Sequence, residues 1–245
     1  MAGLKAGILI FVIMTSTLCL VPLSNFIIIP EGDYSETEEV SYRYLGTEFT
    51  IEVPLTSGPA IRRGMDCQLW QFVTPSDHAV RQLAHDISVI KEWKSDRELA
   101  SYALYWVQDC IDYVYDWETH GTGEYWQLPC DTLRLGTGDC EDQALLLVSI
   151  CIALGLDTVL VFEPGHVSTG IRVDEIRSTD NTVTFNDDVY VAADPTGTRT
   201  FGCRDPDVER VFGELWNPSS TGVCTIFITL LAIVVIAAIA SCYTR

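Results

Sequence analysis

The sequence predicts an α+β fold in which a central helix bearing a cysteine packs on an antiparallel sheet, with two apolar membrane helices flanking it. Three observations predict this. Helical periodicity dominates residues 75–113, a nearly all-apolar helix follows residue 139, and strand-like segments then run in series to residue 193. Helices first and strands afterwards argue for an α+β arrangement rather than a parallel sheet wound with helices.

The elements follow in chain order. Residues 31–39 (EGDYSETEE) are acidic and polar and read as a spacer. Residues 40–54 alternate, with Tyr, Phe, Ile and Val at every second place, which predicts a strand pair or a strand with an extended arm. Pro75-Ser76-Asp77 opens a helix through Lys91, with Val80, Leu83, Ala84, Ile87 and Ile90 on one stripe. Ser95 or Asp96 starts another, with Leu99, Tyr102, Ala103, Trp106, Cys110 and Tyr113 on one face. These aromatics belong to a core rather than to a ligand box. Residues 117–138 hold four Gly and two Trp with little periodicity, which predicts a structured loop region.

Gly138-Asp139-Cys140-Glu141-Asp142 then precedes the apolar run Ala144–Leu154. Asp139 suits the N-cap, and Asp142 three residues on makes a carboxylate capping box. A helix this apolar on all sides belongs at the centre of the domain. Strands are expected at 158–163, 166–173, 182–186 and 189–193, and a short helix at 205–216. No internal repeat is visible.

Charge and hydropathy bound the location. The 245-residue chain carries a formal charge of −19, and all 34 acidic residues fall between residues 31 and 222. That acidic field argues against a nucleic-acid partner. The ends are different. Ala6–Ile29 has no charged residue, and Val223–Cys242 is an unbroken apolar run of 20 residues, enough to cross a hydrocarbon core as a helix. The reading is an N-terminal anchor or signal peptide at 1–30, an acidic spacer with strands at 31–74, a catalytic domain at 75–216 and a transmembrane helix at 217–245. Lys5 and Arg245 at the two ends put the middle section outside the cytoplasm.

Four cysteines outside the cell, Cys67, Cys110, Cys130 and Cys203, would suffice for two disulfides in one of three connectivities. With no Cys-x-x-Cys and no His-x-x-x-His, zinc is not expected, and no other cofactor is called for.

The chemistry centres on Cys140. It stands in the first turn of a buried helix, where unpaired N–H groups and the helix dipole favour a thiolate. A cysteine there is more often structural, but Gly136, Gly138 and the short Asp139 leave the sulfur accessible. His166 and Asp194 follow on separate strands. His166, after Glu163-Pro164-Gly165, can act as base. Asp194, before Pro195-Thr196-Gly197, can fix the imidazole tautomer. The ordinary reading of Asp194 is a turn former.

At these places the sequence resembles the transglutaminase-like superfamily. TGDCEDQALLL surrounds Cys140, GHV begins at Gly165, and ADPTG surrounds Asp194, with gaps of 26 and 28 residues between the three. YWQLPCDTLRLGTGDCED is similar to the approach to the nucleophile in the microbial cysteine-proteinase-like branch. The resemblance covers about residues 95–200. It implies a papain-like core and a Cys140–His166–Asp194 triad acting on peptide or protein amides through a thioester, as a peptidase, amidase or cross-linking acyltransferase. Val167 departs from the Ala or aromatic that members of the family often carry after the histidine. The Cys140 backbone N–H is one expected oxyanion donor, with Gln127 or Trp126 supplying another. The alternative is a non-catalytic, membrane-tethered binding or scaffolding module of the same fold.

Overall fold

The computed structural model describes residues 33–56, 66–197, 201–202, 206 and 208–213. Strands β1 (Asp33–Tyr44) and β2 (Thr47–Thr56) form an antiparallel hairpin closed by Leu45-Gly46. Both turn residues have positive φ, 49° and 84°, as in the two-residue turns whose twist matches the flanking strands. The acidic stretch read as a spacer is therefore strand from Asp33 onward. Its backbone pairs with β2 while Ser35, Glu36, Glu38 and Glu39 stay in solvent. The other face of the hairpin buries Phe49, Ile51 and Val53.

Helix α1 (His78–Val89) begins at the N-cap Asp77, whose carboxylate accepts the Ala79 N–H at 3.0 Å. Of the expected stripe, Val80, Leu83, Ala84 and Ile87 are buried, and Ile90 follows the helix as its half-buried C-cap. Helix α2 (Asp96–Cys110) begins at Ser95, whose Oγ accepts the Glu98 N–H at 3.1 Å. Its buried face is rotated from the expected one: Ala100, Ala103, Leu104, Trp106 and Val107 point inward. Leu99, Tyr102 and Cys110 are half-buried, and Tyr113 lies beyond the helix, exposed. The rotation has two causes. The helix is held against both β1 and the central helix, and Arg97 is drawn inward by a paired contact with Asp180 at 2.6 and 2.8 Å.

The region expected to be loop carries more structure than its texture suggested. Strand β3 (Asp112–Tyr113) pairs in parallel with β4 (Thr137–Gly138), and between them lie α3 (Asp116–Thr119) and α4 (Pro129–Leu135). Pro129 starts α4 at a position where a missing N–H costs nothing. Helix α5 (Cys140–Ala153) then runs through the centre, with every residue from Cys140 to Cys151 buried.

A five-stranded antiparallel sheet packs on α5. Its order is β7 (Thr182–Phe185), β8 (Asp188–Ala193), β6 (His166–Ile171), β5 (Thr158–Glu163), β9 (Arg210–Gly213). The segment 205–216, expected as a short helix, instead supplies β9 where it is described. Its Val211-Phe212 pair completes the β5 edge, and Phe212 meets Phe162 edge-to-face at 5.2 Å. Pairing along β5 outweighs the local helical pattern.

Cys110 and Cys130 are free thiols, so the expected two disulfides do not form on them. Both end up in apolar surroundings, where burial pushes the Cys110 thiol up to about 12 and that of Cys130 further. Cys67 and Cys203 lie outside the described side chains. No helix among the described residues is long and apolar enough to cross a membrane. The two apolar end runs lie outside the described residues.

Candidate active site

The capping box read from the sequence is present: the Asp139 N–H donates to Asp142 Oδ2 at 3.4 Å, and Asp142 Oδ1 takes the Gln127 N–H at 2.8 Å. Asp142 thus ties the preceding loop to the first turn of α5. Gly138 makes room for it, since a Cβ there would lie 2.7 Å from the Asp142 Cβ. Cys140 is thereby fixed as the first residue of α5, where the N–H groups have no partner within the helix.

The turn Pro164-Gly165 returns the chain from β5 to β6 and sets His166 opposite Glu163. On the neighbouring strand β8 the chain ends at Ala193, and Asp194 follows. His166 Nε2 lies 3.2 Å from each carboxylate oxygen of Asp194. Asp194 Oδ1 also accepts the Thr196 N–H at 3.1 Å and the Thr196 hydroxyl at 2.9 Å, and its carbonyl accepts Gln108 Nε2 at 2.8 Å.

Cys140 and His166 line one cleft of about 290 Å³. Trp126, Tyr113 and Val167 form part of the wall, together with acidic Glu124, Asp139, Glu141 and Glu209, and Arg210. Trp126 lines the cleft, with its ring packed edge-to-face on Phe72 at 5.3 Å. Gln127 does not line the cleft: it is buried, and its backbone N–H is committed to Asp142.

One residue beside the nucleophile position was not anticipated. The Cys140 thiol donates to Glu141 Oε2 at 3.0 Å. Burial first, and then the charge of Glu141, push the thiol well above its ordinary range. A hydrogen bond from the Val167 backbone works the other way. The helix terminus alone was expected to favour the thiolate, but here burial and the adjacent carboxylate outweigh it. That neighbour was readable in the sequence as a charge next to Cys140; its rotamer was not.

The surrounding carboxylates share this environment. Burial, reinforced by Glu141 and Asp142, raises Asp139 to about 10. Burial raises Asp116 to about 6. Oxygens of Asp116, Glu124 and Glu141 lie within 4.8 Å of one another, as do those of Asp116, Asp139 and Asp142.

Residues 81–195 match the core of the transglutaminase-like superfamily. Among curated proteins, none matches this sequence. Two of the solved structures that match are as follows. A proposed protease from Parabacteroides distasonis ATCC 8503 is 15% identical, with a TM-score of 0.36, over 57% of this chain and 34% of that one. A proposed cysteine protease from Cytophaga hutchinsonii is 13% identical, with a TM-score of 0.37, over 74% of this chain and 72% of that one. This chain thus spans about a third of the length of the first. Residues 81–195 thus carry the match to the transglutaminase-like superfamily, and that stretch takes in Cys140, His166 and Asp194.

Proposed function

We propose that the protein is a membrane-anchored cysteine acyl-transfer enzyme that attacks peptide or protein amides with Cys140. The observation that supports this reading is that Cys140, at the start of a buried helix, and His166, hydrogen-bonded to Asp194, line the same cleft. Asp194 engages Nε2, so the proton acceptor is Nδ1. Because Cys140 rests as a thiol on Glu141, the proton leaves in the same step as attack rather than from a preformed thiolate. His166 takes the proton, and the sulfur bonds to the amide carbon. The oxyanion is met by the Cys140 backbone N–H, with Trp126, on the cleft wall, as the favoured second donor. His166 then protonates the departing amine. Water resolves the thioester to an acid, or a second amine resolves it to a new amide. Hydrolysis is the favoured outcome.

A second reading, a non-catalytic module of the same fold, draws support from the thiol held on Glu141. Acid quenching during turnover of a peptide amide separates the two. An acyl adduct on the Cys140 peptide, absent in Cys140→Ala, supports the enzyme; no adduct at any substrate concentration supports the module. The anchoring part of the proposal rests on the runs at 6–29 and 223–242. It requires the chain to stay with membranes through an alkaline carbonate wash, and release into the supernatant removes it.

A further inference from the structure

The cleft holds a group of carboxylates that acyl transfer does not use. Asp116, Glu124 and Glu141 converge from α3, the following loop and the first turn of α5, each offering an oxygen within 4.8 Å of the others. Glu124 is exposed and lines the cleft beside Glu141, whereas Asp116 stands behind them, 3% exposed. Asp116 Oδ2 takes the Tyr125 N–H, but Oδ1 has no hydrogen-bond partner among the described residues. A buried carboxylate oxygen left without a donor is costly, and native structures supply one. Asp139 Oδ1, on the cleft wall, is likewise without a partner.

We propose that Asp116, Glu124 and Glu141 bind a primary ammonium of the substrate, carried within about two residues of the amide that Cys140 attacks. The proposal rests on Cys140 being the nucleophile and adds the substrate class. Three N–H donors leave an ammonium tetrahedrally. At an N⁺–H···O⁻ length of about 2.8 Å, their acceptors stand about 4.6 Å apart, a spacing that the three carboxylates, with oxygens within 4.8 Å of one another, allow. A guanidinium, planar and forked, does not present three donors to such a cup. Glu141 Oε2 is 3.0 Å from the Cys140 sulfur, so the bound nitrogen lies close to the reacting carbonyl. Two sources meet that condition: the free α-ammonium of a peptide N-terminus and a lysyl side chain next to the cleaved bond.

Three peptide electrophiles that trap thiols distinguish them: one with a free N-terminus and no lysine, one acetylated with lysine, and one acetylated with norleucine. Labelling rates of Cys140 are compared in the wild type and in Glu124→Gln, with iodoacetamide as a reference that needs no pocket. At least one ammonium-bearing probe should outpace the norleucine probe about ten- to hundredfold, the scale of a hydrogen bond to a charged group. The advantage should fall away in Glu124→Gln and weaken with added salt. The faster probe names the source. Equal rates for all three probes, with iodoacetamide still marking Cys140, overturn the proposal and leave the nucleophile standing. Absence of iodoacetamide labelling at Cys140 removes the nucleophile and the proposal with it. Equal rates together with calcium or magnesium raising the melting temperature of the wild type, but not of Glu124→Gln, assign the carboxylates to a metal and also overturn it.

Discussion

Replacing Asp194 with Asn should lower kcat/KM by about 10⁴-fold while moving the melting temperature by no more than a few degrees. The magnitude is that of a wrong tautomer in a nucleophile–His–Asp site. The local hydrogen bonds explain why rate and stability separate. Asp194 Oδ1 accepts two bonds from Thr196, and the Asn carbonyl can accept the same two. The backbone carbonyl keeps its bond from Gln108. What changes is the other position facing His166. An amide NH₂ there donates to Nε2, which forces the ring proton onto Nδ1, the nitrogen that must receive the Cys140 proton. The imidazolium formed during attack also loses its counter-charge. If Asp194 only forms the turn before Pro195, Asn serves as well and turnover is unchanged. Wild-type activity in this variant would therefore remove Asp194 from the site. A large drop in melting temperature with normal specific activity would make it structural.

Glu141→Gln should raise the rate at which small electrophiles modify Cys140 at pH 7 by about tenfold. The sign follows from the charge: an anion beside the thiol disfavours the thiolate, so removing it lowers the Cys140 pKa and increases the reactive fraction. One pKa unit is tenfold in that fraction when the group lies well above the ambient pH. Burial, the larger cause, remains in the variant, so the thiol should stay above its ordinary value. The pH profile of labelling in the variant should accordingly be displaced toward lower pH. An unchanged profile would mean that the Glu141 contact at 3.0 Å has no influence on the thiol in solution.

These two residues also mark what the sequence makes legible. Cys140 was found through local signals that operate over a few residues: an N-cap, a capping box and an apolar run too continuous for a surface helix. The strand bearing His166 was readable from its alternation and the Pro-Gly turn before it, and Asp194 from a strand end. Their meeting, however, depends on β6 and β8 being neighbours in the sheet, and strand order is not written locally. The superfamily resemblance supplied that link. The acidic wall was illegible for the same reason: Glu124, Glu141 and Glu209 come from separate segments of the chain and look like ordinary solvated charges. Residues 210–213 failed differently. A helical spacing of apolar residues gave way to the unpaired edge of β5, a tertiary demand that no window of a dozen residues reveals. Helix α4 was missed because the glycines and weak periodicity of residues 117–138 read as loop, although Pro129 within that stretch is a good first residue of a helix.

Mapping which cysteine reacts first with iodoacetamide in the folded protein at near-neutral pH tests the central claim most directly. Burial raises all four described thiols, Cys140 included, so access sets the order: Cys110 is half-buried, and Cys130 and Cys151 are enclosed. Cys140 lines a cleft that His166 also lines, with the Val167 N–H directed to its sulfur. It should carry the label before any other cysteine, and prior labelling should abolish turnover. Modification of Cys67 or Cys110 while Cys140 stays unlabelled would contradict the account.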